Sequence, residues 1–219
     1  MHHKFVIIDR STVWTGSMNF TVNGAYRNDN NLVRVQSVNI ARDFAREFEE
    51  MFINDRFGAL SLADTPYPTV MIEGVMVEVW FSPDDGVIER VVELVSQAQD
   101  EVVIMAFALT SDPLAEALLE RAEAGVSVMI VIERGQAGNA GSDIERLRQG
   151  GIELLLDGNP ANMHHKVIII DGSIVITGSY NFSRNAEEFN DENLLVIHHS
   201  GLAARFLLEW DRVYAQAAP

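Results

Sequence analysis

The sequence predicts an α/β protein with one complete lobe and one partial lobe that repeat the same unit. The repeat shows as an alignment of the start of the chain with residues from 163 onward, at a constant offset of 162 positions and without a gap. In addition, residues 70–162 alternate strand patterns with helix patterns, a succession typical of α/β folds. Only the second copy is preceded by such a segment, so we expect the first lobe to be incomplete.

The first copy, residues 1–57, is predicted to form three strands and a closing helix. In order, these are a strand from His2, a turn at residues 9–11, strands at residues 12–15 and 32–35, and a helix at residues 39–54. The helix is indicated by Ile40, Phe44 and Phe48, which recur at helical spacing. Residues 58–69 contain glycine and two prolines among small polar residues, and we interpret them as a linker.

The second lobe, residues 70–219, is predicted to alternate strands and helices before it reaches the second copy of the repeat. Its predicted strands are residues 75–81, 102–108, 126–132 and 152–156. One helix is predicted to begin after residues 82–85, and two more cover residues 114–124 and 143–148. A closing helix covers residues 202–214. The second copy of the motif has its own hairpin turn at Asp171-Gly172. Strands 102–108 and 126–132 are apolar on both faces, so we expect them to lie centrally against the motif-bearing strands.

Composition limits the possible partners. The 219 residues carry a formal net charge of −16, so a nucleic acid or an anionic lipid surface is repelled at long range and has to be captured by a local basic site. No run of the roughly 18 apolar residues needed for a membrane span occurs, so we expect no stable span. The chain has no cysteine, which excludes disulfides and thiolate metal sites but leaves the compartment open.

The chemistry of the chain is concentrated in the repeated motif. Alternation along a strand places His164 and Lys166 on one face, and the same holds for His2 and Lys4. A lysine ammonium can hold phosphate oxygens, while an imidazole can attack phosphorus or protonate a leaving oxygen. A single His-x-Lys has little meaning, but packing alone does not require the same polar residues at the same places twice.

The two copies resemble the HKD motif of the phospholipase D superfamily, and the match is complete at every defining position. The copies are His2-x-Lys4-x₄-Asp9-x₆-Gly16-Ser17-x-Asn19 and His164-x-Lys166-x₄-Asp171-x₆-Gly178-Ser179-x-Asn181. The resemblance implies a phospholipase D-like fold: a mixed β-sheet flanked by helices in each lobe, with both motifs meeting at a pseudo-twofold axis to form one active site.

The resemblance also implies a mechanism and a set of residue roles. His2 would attack the phosphodiester to give a covalent phosphohistidine, and His164 would protonate the leaving alkoxide, without a metal or other cofactor. The implied catalytic residues are His2, Lys4, Asp9, His164, Lys166 and Asp171, and the implied phosphate-binding residues are Ser17, Asn19, Ser179 and Asn181. For Asp9 and Asp171, a structural role at the turn is an equal alternative.

One position breaks the symmetry of the repeat. Glu192 resembles the carboxylate that orients a histidine in this family, and Asn30 occupies its place in the first copy. An amide accepts a hydrogen bond but cannot stabilise an imidazolium by charge, so we expect the two histidines to have unequal roles.

Three functions remain open at this stage. The first is a phosphodiester hydrolase or transphosphatidylase acting on phospholipid headgroups, and the second is a metal-independent endonuclease of the same superfamily. The third is a catalytically impaired fragment that only binds phosphate or a partner chain.

Because the first copy lacks upstream strands, we expect its 5–8 strand and its Phe44, Phe48 and Phe52 stripe to be partly uncovered. Self-association through this surface, or poor order of residues 1–57, would follow.

Overall fold

The computed structural model describes residues 1–139 and 141–218, and within them the chain forms thirteen strands and seven α-helices. The strands are β1 (Phe5–Ile8), β2 (Thr12–Gly16), β3 (Leu32–Gln36), β4 (Thr69–Ile72), β5 (Val75–Ser82), β6 (Glu101–Ala106), β7 (Leu109–Thr110), β8 (Ser127–Ile132), β9 (Glu153–Leu156), β10 (Lys166–Ile170), β11 (Ile174–Gly178), β12 (Phe182–Ser183) and β13 (Glu192–His198). The helices are α1 (Val22–Tyr26), α2 (Val38–Phe52), α3 (Val87–Ser96), α4 (Asp112–Glu123), α5 (Ile144–Gln149), α6 (Arg184–Glu188) and α7 (Ser200–Tyr214).

The second lobe is built on a mixed eight-stranded sheet in the order β4-β5-β13-β11-β10-β6-β8-β9. Strands β6, β8 and β9 run parallel, and the remaining neighbours are antiparallel. The first lobe contributes a separate three-stranded sheet, β1-β2-β3, and β7 pairs with β12 in a short two-stranded sheet. The mixed sheet and flanking helices confirm the predicted fold class.

The sequence repeat is also a repeat in three dimensions. Strands β1, β2 and β3 pair as β10, β11 and β13 do, and the hairpin registers match: Phe5 opposes Thr15 as Val167 opposes Thr177. Both hairpin turns place their motif aspartate in the left-handed region, with φ of 51° at Asp9 and 48° at Asp171. Aspartate tolerates this conformation better than most residues. The turn chemistry of the motif thus fixes the same hairpin in both lobes.

Helices cover both faces of the large sheet. Apolar residues of α3 and α4 pack on one face, with Val91, Leu114 and Leu118 fully buried, and α7 packs on the other through Phe206 and Trp210. Strand β6 lies directly beside β10, which confirms the central place predicted for residues 102–108. Strand β8 lies one position further out, between β6 and β9, so the prediction that it would contact a motif strand was wrong.

Some short elements were missed. The predicted linker ends in β4, which forms a hairpin with β5 through a turn at Glu73-Gly74, and helices α1 and α6 were not predicted. Strand β4 is only four residues long, and α1 and α6 are only five each, which is too short for a clear hydrophobic period. No described helix is long and apolar enough to cross a bilayer.

The two lobes share a hydrophobic core, and this changes one expectation. Phe44 on α2 is fully buried because its ring packs edge-on against Phe5 of its own lobe and Phe81 of the second lobe, with centroids 5.0 and 5.1 Å away. The prediction that Phe44 would be uncovered was therefore wrong. Phe48 and Phe52 are exposed as predicted, with 45% and 76% of their surface accessible.

The contrast between Phe44 and Phe52 gives a test of how the lobes hold together. Phe44→Ala should lower the free energy of unfolding by about 3–5 kcal/mol, because it leaves a cavity between the lobes. Phe52→Ala should cost less than about 1 kcal/mol, because that ring is already largely in water. Urea denaturation of both variants measures the difference, and equal losses would contradict a core shared by the two lobes.

Candidate active site

The motif strands bring His2 and His164 together where the lobes meet. The backbone N–H of His2 donates to the carbonyl of Asp191 in the second lobe, and that of His164 donates to the carbonyl of Asp29 in the first, both at 2.8 Å. Asp29 and Asp191 are equivalent positions of the repeat. Each histidine is therefore anchored by the opposite lobe, as a pseudo-twofold axis requires.

The side-chain partner of His2 also comes from the other lobe. Its ring Nδ1 lies 2.7 Å from Oε2 of Glu192, and the second carboxylate oxygen accepts a hydrogen bond of 3.2 Å from the Asn190 amide. Glu192 is fully buried, while the His2 side chain keeps 34% of its surface exposed. The carboxylate fixes the ring so that Nδ1 is the protonated nitrogen and Nε2 carries the lone pair.

His164 has neutral partners instead. Its Nδ1 lies 2.9 Å from the carbonyl oxygen of Ser17 and 3.1 Å from Oδ1 of Asn30, both in the first lobe. Asn30 thus serves His164 as Glu192 serves His2. Burial, and next the charge of Lys166, lower the pKa of His164 to about 3, so this ring is neutral in the free protein.

The two motif lysines supply positive charge inside this site. Lys4 donates to the carbonyl of His2 at 2.6 Å, and Lys166 donates to the carbonyl of His164 at 3.1 Å and lies 3.4 Å from its Nε2. Burial lowers the pKa of Lys4 to about 8. Burial and the neighbouring charge of Lys4 lower that of Lys166 to about 7. Two buried ammonium groups that repel each other make a site that favours an anion.

The motif asparagines are available to a ligand. Oδ1 of Asn181 is buried and has no hydrogen-bond partner among the described residues, and Asn19 is half-buried. Buried polar atoms are nearly always paired, so the unpaired Oδ1 of Asn181 leaves an acceptor open. The site itself brings together two imidazoles and two ammonium groups, since His2 and Lys4 act electrostatically on His164, and Lys4 acts on Lys166.

Comparison with known proteins gives the family. The model of the "Cardiolipin synthase, PLD-like domain" family matches residues 1–52 and 91–214. The chain belongs to the phospholipase D superfamily. It is 35% identical over 127 residues to the mitochondrial cardiolipin hydrolase of Chlamydomonas reinhardtii, covering 58% of this chain and 57% of that protein. It is also 31% identical over 159 residues to a phospholipase D of Rickettsia prowazekii, covering 72% and 78%.

Solved structures agree with this assignment. Nuc of Salmonella typhimurium, described as a phospholipase D family member, matches with a TM-score of 0.62 and 33% identity, over 66% of this chain and 97% of that one. The phosphatidylserine synthase of Haemophilus influenzae matches the whole chain with a TM-score of 0.75, over 62% of its own length, at 14% identity. The second match supports the fold alone.

In this phospholipase D-like site, the motif serines do not face the ligand volume as predicted. Ser17 and Ser179 are fully buried, and their hydroxyls accept hydrogen bonds from the backbone N–H groups of Asn31 and Asn193, at 3.1 and 3.0 Å. Those asparagines cross the lobe interface, with Asn31 bonded to Thr177. Each serine hydroxyl therefore holds an asparagine of its own lobe, and the side chains of these asparagines bond to the other lobe.

The motif aspartates are also far from the histidines. Asp171 lies beyond the opposite end of β10, roughly 20 Å from His164 along an extended strand. Its carboxylate accepts hydrogen bonds from the backbone N–H groups of Gln99, Asp100 and Glu101 at 2.8–3.2 Å, and these bonds lower its pKa. Of the two roles predicted for Asp171, catalytic and structural, the geometry favours the structural role at the turn.

The second histidine of each motif copy packs against the closing helix of its own lobe through a hydrogen bond. His3 lies 2.8 Å from Glu47 on α2, and His165 lies 2.9 Å from Glu209 on α7. These contacts tie the motif strand of each lobe to its closing helix. The signal was present in the sequence, because the glutamates recur at the same offset as the motif.

No group of three or more histidine or acidic side chains in residues 1–139 and 141–218 is arranged to hold a metal ion. The charge that faces a phosphate in this site comes from Lys4 and Lys166.

The lysine pKa values predict how anion binding depends on pH. Both lysines lose their protons at lower pH than a free lysine, so the affinity for diethyl phosphate, a monoanion at every pH tested, should fall as pH rises through 7–8. The fall should approach about tenfold per pH unit for each required proton. Lys166→Met should remove the component near pH 7, and calorimetric affinities that stay constant from pH 6.5 to 9 would contradict this electrostatic account.

Proposed function

We propose that the protein is a phosphodiester hydrolase of phospholipase D type that works on phospholipid headgroups through a covalent phosphohistidine at His2. The observation that carries the proposal is that each histidine is held by a side chain of the other lobe and that the two partners differ. His2 is held by the carboxylate of Glu192, and His164 by the amide of Asn30. A negative partner suits the ring that becomes cationic when it bonds to phosphorus. A neutral partner suits a ring that only moves a proton.

In the first step, Nε2 of His2 attacks phosphorus while the bond from phosphorus to the leaving oxygen breaks. Glu192 stabilises the positive ring, because its carboxylate accepts the hydrogen bond from Nδ1. Lys4, Lys166, Asn19 and Asn181 hold the non-bridging oxygens, whose charge increases in the transition state. His164 gives its proton to the departing alkoxide.

His164 has to be protonated for this step, although its pKa in the free protein is about 3. An incoming phosphate anion offsets the charge of Lys166 and so raises the pKa of His164 when the substrate binds. In the second step, His164 takes a proton from water, the hydroxide oxygen bonds to phosphorus, and the phosphorus–nitrogen bond to His2 breaks. If an alcohol replaces water, the same steps give transfer.

Exposed apolar side chains beside the site favour a lipid substrate. Phe20 and Tyr26 lie between Asn19 and Asn30 in the first lobe, and Phe189 lies three residues before Glu192 in the second; between 56% and 85% of each is exposed. The amide of Asn30 holds this segment near His164 through a 2.7 Å bond to the carbonyl of Gly24 on α1. Such residues suit contact with acyl chains or a membrane surface. The two kinds of relative described above, a cardiolipin hydrolase and a phospholipase D, are named for lipid substrates.

The second candidate is the metal-independent endonuclease. The resemblance of 66% of this chain to Nuc at 33% identity favours it. The net charge of −16 repels DNA at long range, but it repels an anionic lipid surface such as cardiolipin in the same way, so it disfavours the endonuclease only relative to an enzyme for neutral headgroups.

The catalytic roles are tested with a soluble substrate, bis(p-nitrophenyl) phosphate, in excess chelator. His2→Asn and His164→Asn should each lower kcat by at least about 10³, a range reached when an essential proton-transfer group is lost. His199→Asn is the control, because His199 caps α7 and asparagine is also a good cap. Full turnover by the His2→Asn/His164→Asn double variant would contradict the mechanism, as would a need for added divalent ions. An inactive parent chain that still binds diethyl phosphate would favour the impaired fragment.

The substrate class is tested by a separate comparison. Tyr26→Ser and Phe189→Ser should lower the rate on phosphatidylcholine or cardiolipin vesicles severalfold while leaving the rate on the soluble diester unchanged. Leu208→Ser is the matched control, since Leu208 is 71% exposed on α7, away from the motif histidines in sequence. Faster cleavage of single-stranded DNA than of any vesicle would favour the endonuclease instead.

A further inference from the structure

The first lobe has an open sheet edge at β1, whereas the equivalent edge of the second lobe is covered by a further strand. Strand β1 pairs with β2 on one side, and no described strand pairs with its other side, whereas the same side of the equivalent β10 carries β6. In the second lobe, the carbonyl of His165 accepts from Phe107, and the N–H of Asp171 donates to Glu101, at 2.8 and 3.0 Å. In the first lobe, the equivalent carbonyl of His3 and the equivalent N–H of Asp9 lie at the two ends of the free edge of β1.

A cavity of about 260 Å³ lies beside this edge, between β1 and the C-terminal end of α2, with Met1 and Phe57 also in its wall. His3, Phe5, Phe48, Met51 and Phe52 line it. Their equivalents in the second lobe are, in the same order, His165, Val167, Trp210, Val213 and Tyr214. The apolar members of that set pack around Val103 and Met105 of β6. The cavity therefore marks the place where two strand side chains sit in the complete lobe.

The other face of β1 shows the same difference. Val6 and Ile8 are 41% and 45% exposed, whereas the equivalent Ile168 and Ile170 are at most 1% exposed beneath α3 and α4. Apolar residues on an open edge strand are costly to leave in water and promote strand pairing. Both faces of β1 thus lack the cover that their equivalents have.

Asp9 completes the surface with a charged acceptor. Asp171 accepts three backbone hydrogen bonds from the loop that joins α3 to β6. Asp9 has the same left-handed backbone conformation, is exposed, and has no hydrogen-bond partner among the described residues. Its carboxylate is in place to cap the free N–H groups of a loop that leads into a strand.

We propose that this surface binds a polypeptide segment with the design of residues 87–106, namely an amphipathic helix, a loop with free backbone N–H groups, and an apolar strand. The strand pairs antiparallel with β1, two of its side chains enter the cavity, and the loop is held by Asp9. This is recognition by β-strand addition, in which backbone bonds give affinity and pockets for alternate side chains give specificity.

The observations favour this occupant over two others. An acyl chain could fill the cavity but has no N–H groups for Asp9 and no partner for the edge of β1. A second copy of the chain could pair β1 with β1, but its own β6 and the loop before it are already held by its β10 and Asp171. Only a further segment of this design satisfies the edge, the cavity and the carboxylate together.

The test uses the 219-residue chain and a synthetic peptide of residues 97–108 with a lysine tail for solubility. Binding should slow amide hydrogen exchange at Phe5, Ile7 and Asp9, whose N–H groups face the open edge by alternation from Asp171. Exchange at Val6 and Ile8, which face β2, should change little. A peptide with Val103→Asp and Met105→Asp is the control and should not bind.

A protein variant tests the role of the carboxylate. Asp9→Gly keeps the left-handed turn and should weaken peptide binding by about tenfold or more, the effect of losing hydrogen bonds to a charged group. Asp55→Gly, at an exposed aspartate with φ of 52° in the same lobe, should leave binding unchanged. No protection at Phe5, Ile7 and Asp9 would overturn the proposal. So would a chain dimer that protects these amides and excludes the peptide, or a dodecyl chain that fills the cavity while the peptide does not bind.

Discussion

The structure depends on one exchange across the lobe interface: each motif histidine is positioned by the other lobe. His2 is held by the backbone of Asp191 and the carboxylate of Glu192, and His164 by the backbone of Asp29 and the amide of Asn30. Neither lobe contains a fully oriented histidine by itself. The Asn31–Thr177 and Thr15–Asn193 hydrogen bonds and the core around Phe44 serve this exchange, because they fix the relative position of the lobes.

The exchange brings like charges together in a poorly solvated space, which is costly without a ligand. Lys4 and Lys166 are both buried, and both have pKa values below that of a free lysine. The surrounding fold has to offset this cost through its apolar contacts, and the binding of an anion, as in the proposed function, would lower it. Sites that are strained in the absence of ligand in this way are common where binding and catalysis share the same groups.

Much of this organisation could be predicted from the sequence, because the repeat carries it. Two copies of one motif predicted two equivalent hairpins, one shared site and the unequal partners Glu192 and Asn30. Pairing across the interface could not be predicted, since nothing local distinguishes a serine that holds phosphate from one that positions Asn31 for its bond to Thr177 of the other lobe. The same holds for Phe44: its helical period predicted an apolar stripe, but Phe81 of the other lobe determined that it is buried. Short elements such as β4 and α1 carry too few residues for a period to show.

The replacement of a glutamate by Asn30 in one half of a duplicated unit gives the active site a direction. With equal partners, a diester could lie between the histidines in either of two orientations, and both would react. With a carboxylate behind His2 alone, the proposed mechanism makes one orientation productive, the one that presents phosphorus to His2 and the departing oxygen to His164. The two sides of the cleft can then specialise separately, one shaped for the group that stays on phosphorus and the other for the alcohol that leaves.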